Sequence, residues 1–206
     1  MKLKVCGLKD RENILQVLDA RPDYLGFIFY PASPRYAGGL DPVFVSEIFT
    51  AKKIGVFVNE KEINILDQVA RYGLDLVQLH GDESPGFCSL LRKSVPVIKA
   101  FRIDAEFDLI SLKVYEDACD YFLFDSKSGN YGGSGKRFDH ELLGKYASQK
   151  KFFLGGGIDA SMAEEVQTLK NKQESLYCLD VNSRFELESG IKDINELKTF
   201  AEKLRI

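Results

Sequence analysis

The sequence predicts an α/β protein with a single (β/α)8 TIM barrel, in which eight parallel strands are surrounded by helices. Three observations support this class. Eight short apolar or β-branched segments recur along the chain, and amphipathic segments separate them. A chain of 206 residues that is 45% hydrophobic can bury the core of one such domain. No linker or low-complexity tract divides the chain, so we expect residues 1–206 to form one domain.

The eight predicted strands are mostly apolar on both faces, which is typical of parallel strands buried between a barrel interior and outer helices. They cover residues 3–6, 24–29, 54–58, 76–80, 95–101, 121–125, 152–154 and 176–181. A doubly wound open sheet would also alternate strands with helices, but the count of eight favours closure into a barrel.

Helical spacing of apolar residues predicts the connections between strands, as at residues 63–70 and 194–204. Side chains that commonly begin helices precede several of these segments: Asp82 or Ser84, Asp139 and Asp159. We therefore expect strand, loop and helix to repeat eight times.

The composition excludes several classes of function. A formal net charge of -3 argues against a surface dedicated to nucleic acid. No apolar run approaches the length of a membrane span, and the N-terminus lacks a long apolar signal region, so we expect a cytoplasmic protein. The cysteines are spaced neither for disulfides nor for a metal site, so reduced thiols and no metal are expected. A monomer is the default expectation, and a homodimer is the alternative.

Polar side chains stand where several predicted strands end. Cys6 ends the first strand, His80 the fourth and Asp125 the sixth, while Asp180 and Asn182 end the eighth. In barrels of this kind the functional groups lie at the C-terminal ends of the strands and in the loops that follow. These residues are therefore candidates for one site.

Acid-base chemistry is one interpretation of these side chains. Cys6 could be a general base if a positive environment lowers its pKa toward neutrality, although a small buried hydrophobic residue is the plainer interpretation. Asp125 lies at the rim of an apolar strand and suits a general acid, or else a carboxylate that caps a turn. His80 would either polarise a substrate or satisfy a buried hydrogen bond.

Two segments are suited to bind an anion. Gly155, Gly156 and Gly157 follow the seventh strand and precede a helix, where backbone N–H groups can hold phosphate, although tight-turn glycines need no ligand. Arg35 lies in a proline-restricted loop and offers a planar fork to a carboxylate or phosphate, or to an exposed salt bridge.

A glycine-rich segment at residues 126–136, which includes Gly133, only superficially matches a nucleotide-binding loop. The residues that a Walker motif requires on either side of its Gly-Lys pair are absent. We interpret this segment as a mobile lid over the site.

The motifs together resemble the phosphoribosylanthranilate isomerase family over nearly the whole chain. The matching segments lie at residues 4–7, 26–31, 33–36, 55–59, 77–81, 124–125, 132–136, 138–139, 155–158, 179–183, 186 and 190–193. Each motif is weak alone, but so many at the expected strand ends would rarely coincide. This chain has Asn182-Ser183-Arg184 where some members have Ser-Ser-Gly.

The resemblance implies an Amadori rearrangement of tryptophan biosynthesis that needs no metal or organic cofactor. In it, Asp125 would protonate the ring oxygen of N-(5-phosphoribosyl)anthranilate, and Cys6 would remove the C2 proton from the resulting iminium ion. Arg35 would bind the anthranilate carboxylate, and Asp180 would assist near the amine. The phosphate would lie against the loop at 155–157 and against Asn182 and Ser183.

Two alternatives stay open from the sequence. A different sugar-phosphate isomerase or lyase could occupy the same barrel, and so could a non-catalytic binder of a phosphorylated metabolite, because a fold alone does not define an activity. The pairing of Cys6 with Asp125 favours catalysis. The Arg35 loop favours a carboxylated aromatic substrate over a plain sugar phosphate.

Overall fold

The computed structural model describes residues 1–104, 106–126 and 146–205. Gly133, nearly all of the predicted lid at 126–136 and the helix start predicted at Asp139 lie outside the described residues. In the part of the chain that is described, no helix is long and apolar enough to cross a membrane. All four cysteines are free and buried.

Eight parallel strands close into a barrel in the order in which they occur along the chain, which confirms the predicted fold class. The strands are β1 (Lys2–Cys6), β2 (Tyr24–Ile28), β3 (Lys52–Phe57), β4 (Leu76–Leu79), β5 (Val97–Ile103), β6 (Tyr121–Ser126), β7 (Phe152–Leu154) and β8 (Leu176–Val181). β1 pairs with both β2 and β8, and this second pairing excludes an open sheet. Each predicted strand therefore exists, and the bounds differ by only a few residues.

Six α-helices are found in the described part of the chain. They are α1 (Arg11–Leu18), α2 (Pro42–Ser46), α3 (Glu62–Tyr72), α4 (Pro85–Arg92), α5 (Ala163–Lys172) and α6 (Ile194–Arg205). Of the two predicted starts before α4, the structure selects Ser84, whose hydroxyl accepts a hydrogen bond from the Phe87 N–H. Asp159 caps a 3-10 turn, Ala160–Met162, which leads into α5.

The expectation of an α-helix in every connection is wrong for the connection between β5 and β6. A 3-10 helix, Leu109–Tyr115, lies there instead. Its core-facing residues, Leu109, Leu112 and Tyr115, are spaced by three, whereas Ile110 and Val114 are exposed. A repeat of three residues matches the 3.0 residues per turn of a 3-10 helix, so this spacing buries the apolar face better than an α-helix would.

The core has an outer layer between the strands and the helices and a smaller cluster inside the barrel. The inner cluster contains alternate residues of successive strands: Tyr24, Ile54, Leu76, Ile98, Ala100, Leu123, Phe153 and Cys178. Lys4 and Gln78 are also buried. Since side chains alternate along a strand, Lys4 shares a face with Cys6, and Gln78 shares a face with His80.

A short hairpin follows β8, and the sequence patterns did not predict it. Its strands are β9 (Glu186–Glu188) and β10 (Ile191–Lys192), which pair antiparallel. Gly190 in its turn has φ +86°. The hairpin places Glu186 and the buried Lys192 near the C-terminal end of the barrel.

Candidate active site

A pocket of about 760 Å³, counting space that is open to solvent, lies at the C-terminal end of the barrel. The structure brings nine of the predicted site residues to its wall: Cys6, His80, Asp125, Gly155, Gly156, Gly157, Asp180, Asn182 and Ser183. They come from the ends of five strands, β1, β4, β6, β7 and β8, and from the loops that follow, as expected for parallel strands that all end at the same side of a barrel. Arg35 does not line the pocket.

The Cys6 thiol is almost fully buried and lies among charged side chains. Burial raises the pKa of the Cys6 thiol, and the positive charges of Lys4 and Lys192 oppose this only in part. The expectation that a positive environment lowers this pKa toward neutrality is therefore wrong in its net direction. The positive groups are present, but desolvation of the thiolate has the larger effect.

A chain of polar contacts runs from the buried Lys4 inside the barrel to side chains that line the pocket. The Lys4 ammonium donates to Gln78 Oε1 and also, at 2.9 Å, to Asp180 Oδ2. Gln78 Nε2 lies 3.0 Å from His80 Nδ1, and His80 Nε2 lies 3.5 Å from Asp125 Oδ2. We name Lys4, Gln78, His80 and Asp125 the polar chain.

Asp180 has one satisfied oxygen and one that finds no hydrogen-bond partner among the described residues. Its Oδ2 accepts from Lys4, whereas its buried Oδ1 is unpaired. Burial raises the pKa of the Asp180 carboxyl group, although Lys4 opposes this effect. Because an unpaired buried acceptor is costly, Oδ1 is suited to accept a hydrogen bond from a ligand amine or hydroxyl group.

Arg35 forms a bidentate ion pair with Glu186 of the hairpin. Its Nε lies 2.8 Å and one Nη lies 2.7 Å from the carboxylate oxygens. Lys192 donates to the same carboxylate at 2.7 Å and to Asn182 Oδ1 at 2.8 Å. Hydrogen bonds from Arg35 and the charge of Lys192 outweigh burial and lower the pKa of Glu186. Arg35 thus lies beside the pocket in a salt bridge, which the sequence left open as an alternative, but the pair is largely buried and the sequence did not identify Glu186 as the partner.

The glycine loop after β7, residues 155–157, has a backbone conformation and a close packing contact that residues with a Cβ atom would disturb. Gly156 and Gly157 have φ values of +81° and +74°. A Cβ atom at Gly156 would lie 2.5 Å from the Ser126 backbone nitrogen. Glycine therefore allows this loop to pack against the end of β6 and lets a ligand approach its backbone.

Four residues that shape the site were missed as functional candidates: Lys4, Gln78, Glu186 and Lys192. For Lys4 and Gln78 a signal existed, because each is a polar residue two positions before a predicted site residue within an apolar strand. Alternation then places each of them directly below that residue, inside the barrel. Glu186 and Lys192 lie in segments that carry the family resemblance, but strands of only three and two residues show no alternation from which a role could be inferred.

A parallel barrel with a thiol, two carboxylates, a histidine and a glycine loop around one pocket defines a class: barrel enzymes that use acid-base chemistry on a small anionic ligand. The model of the family N-(5'-phosphoribosyl)anthranilate isomerase matches residues 3–203. The chain belongs to this family. The prediction of a phosphoribosylanthranilate isomerase of tryptophan biosynthesis is confirmed.

Curated relatives support the same assignment over the full chain. An N-(5'-phosphoribosyl)anthranilate isomerase of Phocaeicola vulgatus is 41% identical over 100% of this chain and 98% of that protein. The enzyme of the same name from Parabacteroides distasonis is 39% identical over 99% of this chain and 93% of that protein.

Solved structures agree with the fold. The phosphoribosylanthranilate isomerase of Thermotoga maritima is 32% identical, with a TM-score of 0.85 over 100% of this chain and 98% of that chain. Another structure of that enzyme is described as monomers of a dimeric protein, at 29% identity and a TM-score of 0.81 with the same coverage. A third structure, of a phosphoribosyl anthranilate isomerase that is 28% identical with a TM-score of 0.81 and the same coverage, was solved in complex with reduced 1-(o-carboxyphenylamino)-1-deoxyribulose 5-phosphate.

Proposed function

We propose that this chain converts N-(5-phosphoribosyl)anthranilate into 1-(2-carboxyphenylamino)-1-deoxyribulose 5-phosphate, with Asp125 as general acid and Cys6 as general base. The observation that carries the residue assignment is that both side chains line one pocket, although they come from strands on different sides of the barrel. Membership of the isomerase family supports the substrate.

The first step is ring opening. The carboxylic acid of Asp125 gives its proton to the furanose ring oxygen while the C1–O bond breaks, and the lone pair of the anthranilate nitrogen forms the C1=N bond of an iminium ion. Asp125 is left as a carboxylate, close to the Nε2 atom of His80. A positioned proton transfer of this kind contributes about a hundred- to ten-thousand-fold to the rate.

The second step removes the C2 proton. The Cys6 thiolate takes it, and the C2–H electron pair forms a C1=C2 double bond as the iminium nitrogen becomes neutral. The enolamine then tautomerises: C1 gains a proton and the C2 hydroxyl group becomes a ketone. The product is an isomer of the substrate, so no oxidant or reductant is consumed.

The two ends of the substrate require separate anchors. The loop with Gly155, Gly156 and Gly157 and the neighbouring Asn182 and Ser183 line one part of the pocket and are suited to bind the phosphate. We assign the anthranilate amine to the unpaired Oδ1 of Asp180, since the amine can donate to it.

The carboxylate anchor involves Arg35. A Cβ atom on Gly7 would lie 2.6 Å from Arg35 Cδ, so the arginine stem passes directly beside the residue that follows Cys6. Binding of a ligand carboxylate by Arg35 would add to its pair with Glu186 or replace part of it, because a guanidinium group has five N–H donors.

The test measures the loss of anthranilate fluorescence as freshly generated substrate is converted. We expect wild type to turn over and Cys6→Ser and Asp125→Asn each to lose about a hundred- to ten-thousand-fold in kcat. Cys88→Ser, at a buried thiol outside the pocket, and Asp67→Asn, at an exposed position of α3, are the matched controls. Absence of turnover by folded wild type would remove the proposed function. Full activity of both site variants would remove only the assigned acid and base.

The setting of this activity is also a proposal. We propose that the chain acts in the cytoplasm on its small phosphorylated substrate, without nucleic acid, as a monomer. A homodimer is the alternative, and the Thermotoga maritima relative, described as dimeric, favours it. Sedimentation equilibrium of the purified chain distinguishes the two states.

A further inference from the structure

The first two members of the polar chain have no part in the mechanism above. Lys4 is fully buried, and Gln78, which lines the pocket, is 1% exposed. Polar groups buried at such depth are costly unless each one is paired. Here Lys4 pairs with Gln78 and Asp180, and Gln78 continues the chain to His80.

Donors and acceptors in the polar chain can be arranged in one way only. Burial lowers the pKa of Lys4, but the negative charge of Asp180 and the nearby Cys6 outweigh it, and the net shift is upward. Lys4 is therefore an ammonium group, which has three donors and no acceptor. The amide oxygen of Gln78 must face it, and the amide NH₂ must face His80.

The amide orientation decides where the histidine proton lies. Because Gln78 Nε2 can only donate, His80 Nδ1 must accept. A neutral imidazole with an unprotonated Nδ1 carries its proton on Nε2. In this tautomer the N–H is on the side that faces Asp125.

We propose that Lys4 and Gln78 are positioning residues that hold His80 as the Nε2–H tautomer, so that His80 donates to Asp125 and never accepts its proton. The inference rests on the proposed function through the role of Asp125 as the acid. The 3.5 Å distance between Nε2 and Oδ2 is long for a hydrogen bond, and catalytic hydrogen bonds of this kind commonly shorten in the complex with substrate.

The tautomer matters for both forms of Asp125. While Asp125 is protonated, an Nε2–H donor engages its carbonyl oxygen and leaves the acidic O–H free for the substrate. The opposite tautomer would present a lone pair on Nε2, which would accept that O–H and withdraw the proton from the ring oxygen. After proton transfer, the Nε2–H stabilises the new carboxylate, whereas a lone pair would repel it.

Nitrogen NMR of histidine-labelled protein measures the tautomer directly. The chain has only two histidines, so a His140→Gln variant assigns the His80 resonances. At a pH where the ring is neutral, we expect wild type to show a protonated Nε2 and an unprotonated Nδ1. A wild-type ring protonated on Nδ1 would overturn the proposal without any further variant.

Gln78→Glu replaces the amide NH₂ that donates to His80 Nδ1 with a carboxylate oxygen that can only accept, and it changes the shape of the side chain little. A carboxylate accepts from Lys4 and also from the ring, so we expect His80 to become protonated on Nδ1. We expect kcat to fall about tenfold or more, part of the hundred- to ten-thousand-fold that positioned proton transfer contributes. KM should stay nearly unchanged. A ring that keeps the Nε2–H tautomer in this variant would also contradict the proposal.

Lys4→Met and Lys53→Met form a matched pair. Both replace a buried lysine of the barrel, but Lys53 donates to Ile48 O and lies outside the polar chain. We expect Lys4→Met to give a mixture of tautomers, since the amide of Gln78 can then turn, and Lys53→Met to leave His80 as in wild type.

The two proposals fail separately. If Asp125→Asn keeps full activity while His80 is protonated on Nε2, the assigned acid is wrong and the tautomer stands. If Asp125→Asn is inactive while His80 is protonated on Nδ1, the acid stands and the positioning role of Lys4 and Gln78 is wrong.

Discussion

The thiol at the end of β1 has an environment that suits a base needed late in the reaction. Burial raises the pKa of Cys6, so the thiolate is disfavoured even with Lys4 and Lys192 nearby. An iminium cation that forms beside it changes this balance, since an opposite charge favours the ionised form. The electrostatics therefore agree with ring opening before removal of the C2 proton.

The glycine loop supplies a prediction at the scale of one residue. Gly156→Ala would force an alanine to φ +81° and place its Cβ 2.5 Å from the Ser126 nitrogen. We expect a loss of about 1–2 kcal/mol in unfolding free energy from the backbone conformation alone, and a further loss from the clash. We also expect a raised KM, because the glycine loop, to which we assign the phosphate, would move. Urea denaturation and steady-state kinetics measure the two effects.

Gly39→Ala is the control for that variant. Gly39 does not have a positive φ, and a Cβ there would meet nothing within 4 Å. If Gly156→Ala and Gly39→Ala behave alike in both measurements, the loop does not require a glycine at 156.

Sequence reasoning found the pocket residues individually but not the contacts between them. Cys6, His80, Asp125 and Asp180 were identifiable because a barrel places the ends of its strands at one side. Their partners depend on pairs far apart in the chain: Lys4 and Gln78 are 74 residues apart. The same limit explains the error on the Cys6 pKa, since the amount of burial follows from packing and not from neighbouring residues in the sequence.

At the scale of elements, the ion pairs and hydrogen bonds of Glu186 stabilise the short hairpin β9–β10 more than the backbone pairing of its two strands does. The Glu186 carboxylate accepts from Arg35 in the loop after β2, from Lys192 in β10 and from the Gly190 N–H. A two-stranded ribbon of this size is not stable alone in water. Glu186 therefore connects the hairpin after β8 to the loop after β2.

This connection predicts a pH dependence. The pKa of Glu186 is lowered from its ordinary value of 4.5, so its ionised form stabilises the fold above that pH, and this stability is lost as the pH falls through the folded-state pKa. Glu186→Gln should cost about 3–5 kcal/mol at pH 7, because it removes the carboxylate that balances the charge of the buried Lys192. The difference from wild type should shrink below pH 4.5.

Unfolding in urea at pH 7, 4.5 and 3 measures this difference. Glu188→Gln is the matched control, since Glu188 is exposed on the same strand and should cost less than about 0.5 kcal/mol at every pH. If the loss of unfolding free energy caused by Glu186→Gln were the same at all three pH values, the stabilising role assigned to the ionised Glu186 would be wrong.

The elements themselves were predictable to different degrees for physical reasons. Strands buried on both faces leave continuous apolar runs, and all eight were recognised. The 3-10 helix at Leu109–Tyr115 was not recognised, because a period of three over seven residues differs little from a period of 3.6. A hairpin of three and two residues is too short to show alternation.

At the scale of the whole molecule, the pairing of β1 with β8 joins the two ends of the chain. β1 and β8, the first and last strands of the barrel, are in register from Lys2 with Cys178 to Val5 with Val181. Helix α6 reinforces the closure, since Lys198 pairs with Asp19 and Arg205 donates to Ala20 O. Neither strand can separate without exposing the edge of the other, so we expect β1 and β8 to open together.

Hydrogen exchange followed by mass spectrometry tests this expectation. The amides of β1 and β8 should exchange with the same free energy and the same denaturant dependence, whereas the short helix α2 should exchange faster through local opening. Reduced 1-(o-carboxyphenylamino)-1-deoxyribulose 5-phosphate at 100 times its Kd should add about 2.7 kcal/mol and slow both strands by about a hundredfold. Because the proposed ligand contacts come from β1, β6 and the loops after β7 and β8, the ligand stabilises the closed barrel as a whole. Protection of β8 that is lower than that of β1, or a ligand effect confined to one of them, would contradict a single closed unit.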